Sequence, residues 1–376
     1  MKLLHLFSNH KVTGPAEPAI RLAAELAARG HELVFAHKPL PEPAEHYVDS
    51  VAAAHGLTTT TEFALPKHFK LLTILRDARR LADFIDEHGF DIVHANLVND
   101  HVAAALAVRR SRKRPKLVRT NHDARPMKHD LRNRFLFPSR VDALFELSQR
   151  ALDADVQRFN LPAGRAHLID TSVEIARFDP ARDLPDMRAK LGLTDADFVV
   201  GIAARIQKRR RFHVLLDAAA IARKSVPNLK LVIIGRGTHK EKVAVRPAHE
   251  RGLDDIVIFP GYLRGDEYVG ALRALDVKMF LFPGTDGSCR AAREAMTLGR
   301  PIIAANRGML PELVANETSG LVVDDTPENL AAAITRLAQD AALRERMGHA
   351  ARESAIARFN PAHQAEQVEQ VYEQLI

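Results

Sequence analysis

The sequence predicts an α/β protein built from two successive parallel-sheet domains. Short β-rich runs alternate with helix-length amphipathic segments from end to end, and the alternation restarts beyond Gly164. The length, 376 residues, is also ample for two domains of ~150 each. Hydrophobic residues make up 46% of the chain and charged residues 27%, which supplies two cores and excludes a disordered or fibrous protein.

The first run, residues 3–7, reads as a buried strand rather than a secretory leader. Ser8-Asn9-His10-Lys11 ends the apolar stretch, and no small-residue cleavage pattern follows. Residues 31–36, 91–95, 116–120 and 143–147 read as further strands, and 19–29, 71–87 and 101–110 as helices between them. In the second of these helices Leu71, Ile74, Ala78, Leu81 and Ile85 share one face, expected to pack on the sheet, while Arg76 and Arg80 point elsewhere. Asp179-Pro180 and Leu184-Pro185 break any continuous helix, so the domain junction is expected near 165–185. Beyond it, 198–203, 229–235, 256–259, 277–282, 301–305 and 320–323 read as strands and 214–224 as a helix. After Pro361, Val368, Val371, Tyr372 and Leu375 are spaced for one apolar helical face.

The single cysteine, Cys289, excludes an internal disulfide and a thiolate zinc cluster. The 18 histidines show no metal-ligand spacing, and Asp254-Asp255 and Asp324-Asp325 are expected to face solvent in turns. Apolar stretches such as 102–108 fall far short of the ~20 residues that span a bilayer. The net charge is +7, and basic residues gather in 67–80, 109–116 and 128–140, which suits an anionic lipid surface or a phosphate-bearing acceptor. No nucleic-acid partner is expected, because aromatics are only 6% of the chain and no stacking pattern accompanies the basic residues.

The segment 283–301 carries the most chemistry. It reads as a strand end, a small-residue loop, and a helix of about ten residues closed by Gly299. The helix opening at Gly287, Ser288, Cys289 and Arg290 offers unpaired N–H groups and the positive end of the macrodipole, which suits a phosphate or diphosphate. Asp286 precedes that opening and Glu294 lies inside the helix, with seven residues between them. Their carboxylates can then accept hydrogen bonds from hydroxyls on either side of a bound diphosphate. A plain helix with an Asp N-cap fits the same residues.

With its ending Glu-Ala-Met-x-Leu-Gly-x-Pro, this segment resembles the signature of the retaining glycosyltransferases of the GT-B type, family four. That resemblance implies two Rossmann-like domains facing across a cleft, with boundaries at 1–168 for the acceptor domain and 169–357 for the donor domain. It also implies a helix at 358–376 returning to the first. In the family two glutamates at this spacing contact the donor, so Asp286 would take the transferred sugar and Glu294 the ribose. Gly201 to Arg211 resembles the strand and loop whose arginine and lysine clamp the donor diphosphate; Arg205 matches the first and Arg210 occupies the lysine position. A cationic pair suits a leaving diphosphate, on which charge builds as the glycosidic bond breaks.

Other segments agree. Leu231 to Gly237 is a strand running into a Gly-x-Gly turn at Gly235, where backbone approaches a ligand closely. Gly261-Tyr262-Leu263 resembles the turn that reads the nucleotide base, although Tyr262 reads equally well as core. Gly14 stands in the loop that carries paired glycines in the family; Pro15 replaces the second and removes an N–H. Thr120-Asn121-His122 resembles the place that contacts the transferred sugar, which makes His122 a polar group for the reacting centre, while His94 reads as a packing residue. Relatives commonly carry glycine and an aliphatic residue where Cys289 and Arg290 stand.

The implied activity is retaining transfer of a sugar from a nucleotide-diphosphate sugar to a glycan or phosphorylated glycolipid, in cell-surface polysaccharide or lipopolysaccharide assembly. No metal or other cofactor is expected. The expected location is the cytoplasm, with peripheral contact at the inner face of the cytoplasmic membrane. A nucleotide-sugar epimerase and a catalytically silent nucleotide-sugar-binding protein share the same architecture.

Overall fold

Apolar and β-branched runs form parallel strands throughout, and the amphipathic segments between them form the covering helices. The computed structural model describes residues 1–12, 14–40, 47–137, 140–282 and 289–376. The chain divides into two units, one of Met1–Ser172 with Pro361–Ile376 and the other of residues 173–282 with Cys289–Asn360.

The first unit runs β1 (Lys2–Phe7), α1 (Ala16–Ala28), β2 (Glu32–His37), α2 (Val48–Ala54), β3 (Thr58–Thr60), α3 (Leu71–His88), β4 (Ile92–Ala95), α4 (Val98–Arg110), β5 (Lys116–Asn121), α5 (Leu131–Leu136), β6 (Ala143–Glu146), α6 (Gln149–Phe159) and β7 (Ala166–Leu168). Its seven strands lie in the order β3-β2-β1-β4-β5-β6-β7, and each pairing is parallel. The chain reverses direction across the sheet between β1 and β4, and open parallel sheets bind ligands outside the carboxyl ends of their strands at such a point. The loops after β1, β4 and β5, which carry Gly14, Asn96 and His122, therefore share one edge.

The second unit runs α7 (Met187–Lys190), β8 (Phe198–Ala203), α8 (Phe212–Ala222), β9 (Leu229–Ile234), α9 (Arg246–His249), β10 (Val257–Gly261), α10 (Gly265–Arg273), β11 (Val277–Phe280), α11 (Arg290–Thr297), β12 (Ile302–Ala305), α12 (Leu310–Leu313), β13 (Gly320–Val323), α13 (Pro327–Gln339) and α14 (Ala341–Arg358). Its strand order is β10-β9-β8-β11-β12-β13, so its reversal falls between β8 and β11. Val277 and Met279 enter the core beneath α8 and α13. Side chains alternate along a strand, so Lys278 goes to the opposite face.

The last helix, α15 (Pro361–Leu375), belongs to the first unit. Ala365, Val368, Val371 and Tyr372 pack into the core that also holds Leu3, Ile20 and Phe35. The attachment carries polar pins as well: Glu369 accepts from Arg29 Nε at 2.8 Å and meets His31 Nε2 at 2.7 Å.

Two expectations need correction. Ile74, Ala78, Leu81 and Ile85 are buried under α3, but Leu71 is 56% exposed, because the first turn of the helix projects beyond the core that its later turns cover. Asp325 does not stand free in solvent: its side chain is largely covered and ion-paired with Arg211 at 2.7 Å and Arg307 at 2.9 Å.

Candidate functional site

In the first unit, the ends of β4 and β5 set His122. Asn96 donates through Nδ2 to the Leu6 carbonyl at 3.1 Å, which turns its amide oxygen toward His122 Nε2 at 3.0 Å. His122 Nε2 is therefore the donor, and its Nδ1 keeps a lone pair for an incoming hydroxyl. Burial, with Arg119 adding repulsion, pushes the His122 pKa down to about 3. The group is a neutral hydrogen-bonding imidazole at physiological pH, not a proton donor. It lines a small cavity with Thr120, Thr171, Gln364, Pro18 and Leu22.

Behind His122 lies a buried charge network that the sequence reading missed. Burial pushes the Arg119 guanidinium down to about 10 despite the attraction of Asp100 and Glu146. Asp100 is raised to about 7 by burial; it accepts from Ser8 N at 2.7 Å and Leu97 N at 2.8 Å, tying the loop after β1 to the start of α4. Glu146 accepts from Asn121 Nδ2 at 3.0 Å, and burial with neighbouring Asp155 holds its carboxyl well above the usual range. His94 packs, as expected, and is also bonded at both nitrogens, to Tyr372 Oη at 2.5 Å and Thr120 Oγ1 at 2.7 Å. Gly14 stands in the turn before α1, where Pro15 takes helical angles and gives no side-chain cap.

In the second unit the loops after β8, β9 and β10 are laced together at the carboxyl edge. Ala204 N bonds Ile234 O at 3.0 Å, Ile206 N bonds Arg236 O at 3.0 Å, and Gly235 N bonds Gly261 O at 2.8 Å. The closeness dictates glycine: a Cβ on Gly235, which has φ +144°, would sit 2.1 Å from the Ala204 carbonyl oxygen. Arg205 is exposed in this loop cluster. Arg210 lies in a 3-10 turn, where its Nη1 donates to the Phe282 carbonyl at 2.8 Å. Tyr262 is not core but 53% exposed; guanidinium groups lie over its ring at 4.4 Å from Arg236 and 5.1 Å from Arg264. Leu263 beside it is half-buried.

Glu294 is buried on α11. Its Oε2 accepts from Tyr268 Oη at 2.6 Å and its Oε1 lies 3.4 Å from Arg290 Nε. A carboxylate accepts about four hydrogen bonds, so room for further partners remains. Cys289 caps the helix, buried and with φ +48°, a left-handed conformation that glycine adopts freely and other residues seldom do. Gly299 follows the last turn as expected. Asp286, Gly287 and Ser288 lie outside the described residues.

The residue missed in this unit is Lys278. It is fully buried in β11, and its Nζ has no hydrogen-bond partner among the described residues. Burial lowers its pKa to about 7, with Glu294 attracting and Arg210 repelling the ammonium form. The structure thus gathers Arg210, Lys278, Glu294, Tyr268 and Arg290 into one electrostatic neighbourhood. One signal in the sequence could have found Lys278, Arg119 and Glu146 alike: a charge inside an otherwise apolar strand run, where burial is costly unless the charge is used or compensated.

Comparison with known proteins defines the class. The family described as "Glycosyltransferase Family 4" matches residues 13–177 and "Glycosyl transferases group 1" matches residues 183–354. The chain belongs to the family 4 glycosyltransferases of GT-B fold. Among curated relatives, the D-inositol 3-phosphate glycosyltransferase of Salinispora arenicola is 30% identical over 53% of this chain and 48% of its own length. The alpha-D-kanosaminyltransferase of Streptomyces kanamyceticus is 27% identical over 62% of this chain and 60% of its own length. The chain spans about half the length of the first of these relatives. Among solved structures, Anabaena HepE in complex with UDP covers 100% of both chains at TM-score 0.81 and 20% identity. A Rickettsia africae glycosyltransferase covers 100% of this chain and 98% of its own at TM-score 0.84 and 16% identity.

Proposed function

We propose that this protein transfers a glycosyl group from a nucleotide-diphosphate sugar to a hydroxyl of a glycan or phosphorylated glycolipid, with retention at the anomeric carbon. The observation that carries the reading is the basic, glycine-laced carboxyl edge of the second unit, which holds Arg205, Arg210 and Arg236, together with the buried carboxylate of Glu294, which shares the neighbourhood of Lys278 with Arg210. Cations in fixed positions stabilise charge that develops on a leaving diphosphate, and backbone N–H groups reach phosphate oxygens only where no Cβ intervenes.

In this reading Arg205 and Arg210 hold the diphosphate together with the α11 opening at Cys289 and Arg290. Glu294 takes the ribose hydroxyls, and Tyr268 and Arg290 fix its carboxylate. Gly235, Tyr262 and Leu263 face the nucleoside, Asp286 with Gly287 and Ser288 takes the sugar and its phosphate, and Gly14 keeps a role in donor binding. Neutral His122 orients a hydroxyl through Nδ1. No protein nucleophile is assigned, so the acceptor attacks on the face that the diphosphate leaves, and the leaving phosphate oxygen takes its proton. No metal enters the scheme.

A relative named for D-inositol 3-phosphate supports a phosphorylated acceptor, and a neighbour named as a lipopolysaccharide outer core galactosyltransferase, at TM-score 0.72, shares the fold. We place the reaction in cell-surface polysaccharide or lipopolysaccharide assembly, at the cytoplasmic side of a membrane whose anionic lipids the basic runs 67–80 and 128–140 of the first unit would meet.

Calorimetric titration with uridine, adenosine and guanosine diphosphates tests the donor half, and Glu294→Ala should weaken the nucleotide that binds. No binding by any of them would sink the reading. Incubation with the matching nucleotide sugar then separates the rivals: transfer to an acceptor supports it, an epimer from donor alone favours an epimerase, and tight binding without turnover favours a silent binding protein.

A further inference from the structure

The structure assigns the membrane contact to one face. We infer that α3's first turn and α5 form a docking surface that inserts shallowly into an anionic lipid bilayer. This rests on the part of the proposed function that names a lipid surface as a partner, and not on the donor site.

Among the described residues, eleven large hydrophobic side chains are exposed, and six of them fall here: Phe69, Leu71, Leu72, Leu75, Leu131 and Phe135. Leu72 and Leu131 are each 82% exposed. Both segments are fastened to the first turns of α4. Asn99 Nδ2 donates to the carbonyls of Pro66 and Lys67 at 2.9 and 2.8 Å, ahead of α3. His101 Nε2 meets the Arg140 carbonyl at 3.1 Å, and its ring stands edge-on to Phe137 just after α5. Both segments therefore lie at the same end of α4, and their apolar side chains are exposed there.

The rim is basic. Lys67, Lys70, Arg76, Arg79, Lys128 and Arg134 are exposed around the patch. The nearby acids are spent: Asp77 is buried and accepts from Ala64 N and Leu65 N, and Asp130 is paired with Arg132 at 3.6 Å. An apolar cluster ringed by cations fits an interface of acyl chains and anionic headgroups. A second copy fits less well, since a two-fold contact through this patch would set the two basic rims against each other.

Helices that cover a parallel sheet run against the strands, so the start of α3 lies at the strand carboxyl ends, the edge that carries His122. The run 109–116 lies at the other end of α4, roughly 20 Å away for thirteen residues of helix. Asp86 also engages it, bonding Ser111 Oγ at 2.6 Å and the backbone N–H groups of Arg112 and Lys113. That run is left out of the docking face.

The protein contains no tryptophan, so a single introduced indole reports its own surroundings. Leu72→Trp and Leu131→Trp should shift to the blue and be quenched by brominated acyl chains on vesicles of phosphatidylcholine with phosphatidylglycerol, less so at high salt. Arg112→Trp should keep a water-like emission. Leu71→Ser with Leu72→Ser should weaken partitioning at least about tenfold, with nucleotide affinity unchanged. The inference is overturned if the vesicles do not bind, if they bind while both indoles stay in water, or if Arg112→Trp shifts instead. A blue shift without vesicles, accompanied by a doubled mass in light scattering, would give the face to self-association and also overturn it. Failure of nucleotide binding would sink the donor reading and leave this result standing.

Discussion

Replacing Lys278 by methionine should stabilise the second unit, by an amount that shrinks as pH rises. In the folded chain the Lys278 pKa is about 7, against an ordinary value of 10.5. Between these values the unfolded chain holds a proton that the folded one does not, so the stability of the native protein climbs with pH across that window. Below the folded value the lysine is charged in both states and its burial carries the full penalty; above the unfolded value it is neutral in both and the penalty is gone. A difference of about three to four pKa units corresponds to a ceiling of roughly 5 kcal/mol at low pH. Methionine has a similar length and no charge, and so removes the penalty at every pH. Titration of one group with these two pKa values makes the advantage of Lys278→Met about 2–3 kcal/mol smaller at about pH 9 than at about pH 6. Urea unfolding of both proteins at the two pH values, followed by circular dichroism, measures it. Titrating groups remote from Lys278 cancel in the comparison. An advantage that stays constant with pH, or a methionine variant less stable at the lower pH, would refute the account of Lys278 as a buried, unbonded amine.

Further outcomes follow from the same geometry. Gly235→Ala places a methyl 2.1 Å from a backbone oxygen and should cost more than about 3 kcal/mol, whereas Gly252→Ala meets nothing within 4 Å and should cost about 1 kcal/mol; equal losses in thermal unfolding would contradict the packing described. Tyr268→Phe removes the 2.6 Å bond to Glu294 and should weaken nucleotide diphosphate binding about three- to tenfold, the effect of one hydrogen bond, while unchanged calorimetric affinity would separate Glu294 from the ligand. His122→Ala should slow transfer roughly ten- to thirtyfold, and Asn96→Ala should do so less. With a folded pKa of about 3, His122 should put no inflection in the native pH–rate profile between about pH 5 and 8, and an inflection there that His122→Ala abolishes would show that it titrates.

The parallel sheets, most of their strands and the class of the protein were legible in the sequence because they rest on local pattern: apolar runs, helical periodicity, and glycine or proline at the breaks. The motif around Glu294 and the Gly-x-Gly at Gly235 were visible for the same reason. What escaped was decided by neighbours remote in sequence. β3 and β7 are three-residue strands that exist because a sheet edge is there to pair with, and nothing in Thr58–Thr60 alone announces it. Leu71 satisfied the spacing of a buried face, yet only the end of the core beneath α3 determines that Leu71 and Leu72 emerge from it. Tyr262 read equally as core or as part of a base-reading turn, and only the fold leaves it exposed beneath two guanidinium groups. Lys278 illustrates the limit most plainly: its place in an apolar run is written in the sequence, but the cost of its charge depends on how completely the fold excludes water and on which carboxylate and guanidinium the fold brings beside it. Periodicity is a property of the chain, whereas burial and field are properties of the surroundings that only folding creates.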